Sequence, residues 1–402
     1  MTKPLSTNPR PTGINHPGLA RRDFFRAVGV GGMAVSGAGL LSACGTEGTQ
    51  GQETQEAEDV SSKEKVVNFS NWPLYIDTDD GGKHPTLVQF EKETGIKVDY
   101  VEEINGNADF YAKIRPQLSS GQPTGSDVVV FSNDWAARMI EEDFVQEIDT
   151  ANIPNAKNLI ASLQSPSFDP DRKYTLPWQS GLTGIGTNTK VTGREITSIE
   201  ELLTAPDLKG KIALLTDMTD TVGLIMLEMG IDPEDFSQGE FDRAMQRITD
   251  AVDAGQVRQF TGNDYAPQLA KGNISACIAW SGDIIQLQFE DPKVTFAIPD
   301  AGGMLWSDNM QVPALATHKA NAEKLMNFYY DPKVAAEVAA WVNYICPVEG
   351  AKEAMRDIDP ELADNELIFP SEQTLSKVHG FMLPSWEERE KLVEQYTQTI
   401  GL

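Results

Sequence analysis

Eleven residues combine two kinds of chemistry, and most of them stand where an apolar run of the sequence ends. Trp72 and Tyr75 follow "VVNFSN", Ser132 and Asp134 follow "VVVF", and Asp217 and Asp220 follow "IALL". Trp280 and Asp283 close "ISACIAWSGD", Trp306 and Asp308 lie in "MLWSD", and Tyr344 ends a helical stretch. Aromatic faces attract cations through the ring quadrupole. Carboxylates accept charge-assisted hydrogen bonds from ammonium groups. A flexible diamine or triamine needs both, with flat walls for its methylenes and an acid for each amine. Walls of Trp72, Tyr75, Trp280 and Tyr344, with Asp283 and Asp308 near opposite ends, would read such a molecule by length and charge spacing.

Each residue also has a plainer reading. Asp283 can cap a helix beginning at Ile284, Asp217 and Asp220 are spaced like a helix-entry cap, and a tryptophan at a strand end often only packs. Co-location after successive strands is what lifts the set above these readings. The serines of "SGD" and "WSD" have no histidine near them in sequence, so no activated nucleophile is visible and an enzyme is not expected. His16, His84, His318 and His379 are scattered, without CxxC or HExxH spacing, so neither a metal nor a cofactor is expected.

The elements that must position these residues alternate. "VVNFSNW", "KVDYVEE" and "SDVVVFS" read as strands. "HPTLVQFEKETGI", with Leu87, Val88 and Phe90 facing in, "ADFYAKIRPQLSSG", disturbed at Pro116, and "DWAARMIEEDFV" read as helices. That β-α-β-α-β-α order predicts a parallel sheet with helices on both faces. A second set follows: "GLTGIGTN" extended, "SIEELLTAPDLKGKIALLTD" helix then strand, two helices to Gly255, then "NDYAPQLAKGNISACIAWSGD" as helix and strand. "KVTFAIPDAGGMLWSDNMQVPALA" is extended, and two helices split at Asp331-Pro332. No internal repeat is visible. Two α/β lobes with a cleft between them are expected, and ligands of open parallel sheets sit beyond the carboxyl ends of the strands.

The start of the chain reads as an address. Arg21 and Arg22 precede Phe24, Phe25 and the glycine-diluted run "AVGVGGMAVSGAGLL", too short for the roughly 20 apolar residues of a membrane span. A basic, apolar and small-residue sequence of this kind is a signal peptide. The RRxFF pattern resembles the twin-arginine class, and "LSAC" resembles a lipobox with Cys44 as the lipidated residue. Residues 1–43 are therefore read as signal and 44–65, rich in Gly, Thr, Gln and Glu, as lipidated cysteine plus flexible tether. Such a tether reaches roughly 25 Å. The formal charge is −27, and the leader's five basic residues against one acidic leave the rest at −31. So acidic a body repels nucleic acid and anionic lipid headgroups. Membrane contact is expected through the lipid alone, and a monomer is expected. Cys277 and Cys346 could pair or remain buried thiols.

"NFSNWPLYI", "FEKETGIKV", "SDVVVFSNDWAARM", "YTLPWQSGLTGIGTN", "WSGD", "PDAGGMLWSD" and "PVEGAKEAM", in that order, resemble the spermidine/putrescine-binding proteins of ABC transporters. The resemblance runs from about Val66 to at least Tyr344. It implies the type II periplasmic-binding-protein fold, α/β and two-lobed, with crossing strands as the hinge. Lobe 1 is expected over 66–184 and 298–345, lobe 2 over 185–297 and 346–402. It also implies a polyamine (spermidine or putrescine) as ligand and ABC permease subunits as partners, outside the cytoplasm. By position, Trp72, Tyr75 and Tyr344 match cleft aromatics, Ser132 a cleft hydroxyl, Trp280 with Asp283 an aromatic–acid pair, and Asp308 a second amine-binding acid. Leu74, Met218 and Thr221 stand where such proteins usually place acids, although Asp217 and Asp220 are adjacent, and Asp134 stands where an aromatic is common. The alternative is a same-fold binder of another amine, an amino compound or ferric ion, for which the pair Tyr329-Tyr330 is the candidate.

Overall fold

Most strands form where alternation and apolar runs place them, Val257–Thr261 and Val378–His379 being unexpected, and the computed structural model describes residues 57–401. In chain order they are β1 Val66–Asn71, β2 Lys97–Glu102, β3 Val128–Ser132, β4 Leu176–Asn188, β5 Ile212–Leu215, β6 Val257–Thr261, β7 Ala276–Trp280, β8 Val294–Ala297, β9 Gly303–Gln311 and β10 Val378–His379. The main sheet runs β2-β1-β3-β9-β4-β7-β5-β6, with β8 on β4 and β10 on β9. β1 pairs in parallel with β2 and β3, and β5 in parallel with β6 and β7. β9 is antiparallel to β3, and β4 is antiparallel to β7 and β9. From either edge inward the order is second, first, third, then a long antiparallel strand. The two halves thus share a strand order that no sequence repeat announces. β3 is buried on both faces from Val128 to Phe131, as a strand inside a sheet covered on both faces requires.

Two apolar cores result. The first gathers Val67, Phe69, Phe90, Phe131, Trp178 and Met310, the second Ile185, Leu214, Phe241, Ile278 and Met304. β4 and β9 run through both. The division expected from sequence differs after Tyr344. Cys346, Val348, Met355 and Ile368 belong to the first core, whereas Leu392 and Tyr396 of the final helix belong to the second, with Phe381, Met382 and Ile400 packed against it. The cause is a return of the chain: Ser180 and Ile345 exchange an antiparallel bridge, and Ile160 N donates to the Pro347 carbonyl at 3.0 Å. The apolar face of helix Ala351–Ile358 then has the first core as its nearest cover.

Other expectations are corrected locally. Val88 is 52 % exposed while Leu87 and Phe90 are buried, because the buried stripe of helix Pro85–Thr94 is narrower than the apolar composition. Gly95 closes that helix at φ 69°, a left-handed position that favours glycine. Helix Asn107–Ser119 continues through Pro116, which sits in its last turn. The end of the segment read as tether is docked: Val60 N donates to the Thr317 carbonyl at 2.8 Å, and Asn321 takes Ser61 Oγ and the Glu64 carbonyl as acceptors. Residues 1–56, including the twin arginine, the lipobox and Cys44, lie outside the described residues. Cys277 and Cys346 are both buried and free.

Candidate functional site

The same topology brings the predicted residues together. β1 and β3 are neighbours, as are β5 and β7, so the loops beyond their carboxyl ends open where the strand order reverses in each half. The antiparallel β9 lies against β3 with Asp308 directly opposite Ser132, and β4 lies against β7 with Thr183 opposite Trp280.

Around Asp308 the Ser132 hydroxyl donates to Oδ1 at 2.6 Å and the Tyr75 hydroxyl to Oδ2 at 2.7 Å. Ser132 is itself fixed by Asn107, whose Nδ2 donates to its Oγ at 2.9 Å. Burial pushes the Asp308 carboxyl up to about 6, the Asp134 charge adds to the push, and the two hydroxyl bonds oppose it. In the other half of the molecule, Thr183 Oγ1 and Trp280 Nε1 both donate to Asp220 at 2.6 Å. Burial and the neighbouring Asp217 push that carboxyl up to about 8, against the bonds from Thr183 and Trp280. Among the described residues neither Asp220 nor Asp308 has a lysine or arginine within ion-pair distance, so each buried acid is served only by neutral donors.

Asp283 accepts from Asn263 Nδ2 at 2.8 Å and from the Tyr265 hydroxyl at 2.9 Å, with the Tyr344 hydroxyl 3.4 Å from its other oxygen. Helix Ser281–Glu290 begins two residues before Asp283, with Trp280 at its cap position, so Asp283 is not the cap that its spacing also allowed. Tyr344 continues the chain of contacts. Its ring meets Tyr75 edge-on at 5.9 Å and Trp306 at 5.4 Å. Asp283, Tyr344, Tyr75 and Asp308 therefore form one connected wall. Two glycines make it possible. A Cβ at Gly282 would lie 2.5 Å from the Tyr344 ring, and one at Gly181, opposite Trp306 on β4, would collide with the indole.

The remaining predicted residues divide. Asp217 is a helix cap, accepting from Asp220 N at 3.1 Å. Asp134 is ion-paired to Arg389 at 2.7 Å. Trp72 donates through Nε1 to the Val130 carbonyl at 3.2 Å rather than to a carboxylate. Thr183, Asn107, Asn263, Tyr265 and Arg389 were not anticipated. Arg389 alone left a signal: with Trp386, Leu392 and Tyr396 it sits at helical spacing on an otherwise apolar stripe. Among the described residues no group of three or more His, Cys, Asp or Glu could hold a metal, and no helix is long and apolar enough to cross a membrane.

Residues 86–370 match the family model of bacterial extracellular solute-binding proteins. The chain belongs to that family. As a solute-binding protein it is a transport component and not an enzyme. It is 28 % identical over 318 residues to the spermidine/putrescine-binding periplasmic protein of Salmonella typhimurium, covering 79 % of this chain and 86 % of that one. It is 29 % identical over 344 residues to the putrescine-binding periplasmic protein SpuD of Pseudomonas aeruginosa, covering 81 % and 89 %. The crystal structure of the spermidine/putrescine ABC transporter substrate-binding protein PotD from Streptococcus pneumoniae superposes with a TM-score of 0.71 at 21 % identity, over 84 % of this chain and 98 % of that one. The fold of this solute-binding protein is accordingly the two-lobed one.

Proposed function

We propose that this solute-binding protein captures a polyamine, spermidine or putrescine, between its lobes and delivers it to the permease of an ABC importer. The observation that carries the reading is the pair Asp220 and Asp308. Both are buried, both are pushed toward the neutral form, and both lack a protein cation among the described residues. An ammonium group from outside would restore the charge pairing that burial of a carboxylate calls for. The aromatic wall of Tyr75, Tyr344 and Trp306 suits the methylenes between two such groups. The ligands for which these relatives are named, spermidine and putrescine, agree with this reading.

We further propose export through the twin-arginine signal, cleavage before Cys44 and lipid anchoring of a monomer. Loss of metabolic palmitate labelling in Cys44→Ala checks the anchor. The ferric reading draws less support: the Tyr329 hydroxyl lies 3.1 Å from Thr86 Oγ1, and the Tyr330 hydroxyl donates to the Pro177 carbonyl at 2.7 Å. Thermal unfolding with putrescine, cadaverine, spermidine and spermine tests the function. A ligand at a hundred times its Kd stabilises the folded state by about 2.7 kcal/mol, so at least one should raise Tm by several degrees. A flat response to all four contradicts the proposal.

A further inference from the structure

The final helix, Trp386–Ile400, packs in one half of the molecule and touches the other. Leu392 and Tyr396 pack in the second core, and the Tyr396 hydroxyl donates to the Leu215 carbonyl at 2.5 Å. Its first turn meets the first lobe, where the Trp386 ring lies 4.8 Å from Trp135 and, with Tyr111, sandwiches the Arg138 guanidinium at 4.0 Å on each side. Between these contacts Arg389, 4 % exposed, donates through Nη2 to Asp134 Oδ2 at 2.7 Å and to Thr219 Oγ1 at 2.9 Å. Asp134 follows Ser132, the Asp308 partner, by two residues. Thr219 stands between Asp217 and Asp220. One guanidinium nitrogen thus joins the first turns of helices Asn133–Glu141 and Met218–Glu228, one from each lobe.

A purely structural role leaves its geometry unexplained. Arg172, also buried, uses every nitrogen: Nε and Nη2 on the Leu163 carbonyl, Nη1 on Thr175 and Asn309. Arg389 leaves Nε and Nη1 buried without an acceptor. Unpaired buried donors are destabilising, and a neutral or apolar side chain on this stripe would avoid them. What Arg389 supplies is a positive charge at the acid-lined edge, bridging the lobes as a ligand ammonium would.

We propose that Arg389 stands in for one ammonium group of the ligand at Asp134, so that the cleft takes a diamine in preference to a triamine. The inference rests on the amine reading above. With Asp134 already neutralised from within, its carboxylate is closed to a third ammonium. Freed of Arg389, Asp134 would offer one, and a charge-assisted contact of this kind changes affinity about tenfold or more.

Calorimetric titration of putrescine and spermidine into the intact protein tests it. The wild type should bind putrescine the more tightly. Arg389→Gln should raise the spermidine-to-putrescine affinity ratio about tenfold, Arg389→Lys should keep the wild-type ratio, and adding Asp134→Asn to Arg389→Gln should abolish the gain. An unchanged ratio in Arg389→Gln, with both amines held or both equally weakened, reduces Arg389 to a strap and overturns the inference. So does a gain that survives Asp134→Asn, or a wild type that prefers spermidine. Binding of γ-aminobutyrate instead of the amines, lost in Arg389→Gln, would assign the unpaired nitrogens to a ligand carboxylate and overturn it too. A wild type that binds neither amine removes the amine reading itself.

Discussion

Replacing Asp308 by asparagine should make the empty protein more stable and the ligand weaker, and the size of both effects follows from one buried carboxyl. Asp308 is 7 % exposed and pushed up to about 6 from an ordinary 3.8. The folded state therefore holds its proton more tightly than the unfolded state does. Stability associated with this group rises as pH falls through 6 and is lost above it, because the charged form is the disfavoured one. At pH 7.5 the difference between 3.8 and about 6 corresponds to about 3 kcal/mol against the folded state. Asparagine removes the charge and keeps the shape. The Tyr75 hydroxyl can still donate to its oxygen, and its amide can donate to Ser132 Oγ. Differential scanning calorimetry at pH 7.5 should show the ligand-free variant gaining about 1–3 kcal/mol, or a few degrees in Tm. The gain should vanish near pH 4. Putrescine affinity should fall at least a hundredfold, since about 3–5 kcal/mol is typical for breaking a buried charge pair. A variant that melts earlier at pH 7.5 and binds as before would refute the argument, because Asp308 would then be structural.

Binding should release protons, because Asp220 and Asp308, pushed up to about 8 and about 6, must ionise to meet ammonium groups. Titrations in buffers of different ionisation enthalpy should give about one proton released at pH 7 and a release near zero at pH 9, where the carboxyls are already ionised. Gly282→Ala lies in a helix, where alanine is favoured by about 1 kcal/mol, yet its Cβ would meet the Tyr344 ring. We expect a lower Tm and weaker amine binding, read by calorimetry; a higher Tm with unchanged affinity would contradict it. Gly181→Ala should act the same way through Trp306. A chain beginning at residue 66 should be less stable than one beginning at 57 by about 2–4 kcal/mol in urea unfolding. It loses the Val60 bond to Thr317 and leaves Asn321 without its acceptors at Ser61 and Glu64.

Much of the frame was legible in the sequence because its signals are local. Apolar runs gave β3, β5 and β7, Gly95 marked a helix end, and Asp331-Pro332 split two helices. Tyr75, Ser132, Asp283, Asp308 and Tyr344, singled out from the sequence beside apolar runs and a helix end, share one chain of contacts in the fold. What stayed hidden depends on contacts between distant segments. The docking of Cys346–Phe369 on the first core needs the bridge at Ser180, and the donors Thr183, Asn107 and Tyr265 are defined only by register and packing. Asp134 was read as a ligand residue, but its partner lies 255 residues away in the final helix.

The central claim is that acids from both lobes converge on one protonated chain molecule, and a crystal structure with putrescine tests it most directly. Density is expected between the lobes with one nitrogen at hydrogen-bonding distance from Asp308 and the other from Asp220 or Asp283, its methylenes against Tyr75 and Tyr344. A complex that places the diamine elsewhere, or leaves these carboxylates bonded only to Ser132, Tyr75, Thr183 and Trp280 with the cleft filled by water, would contradict it.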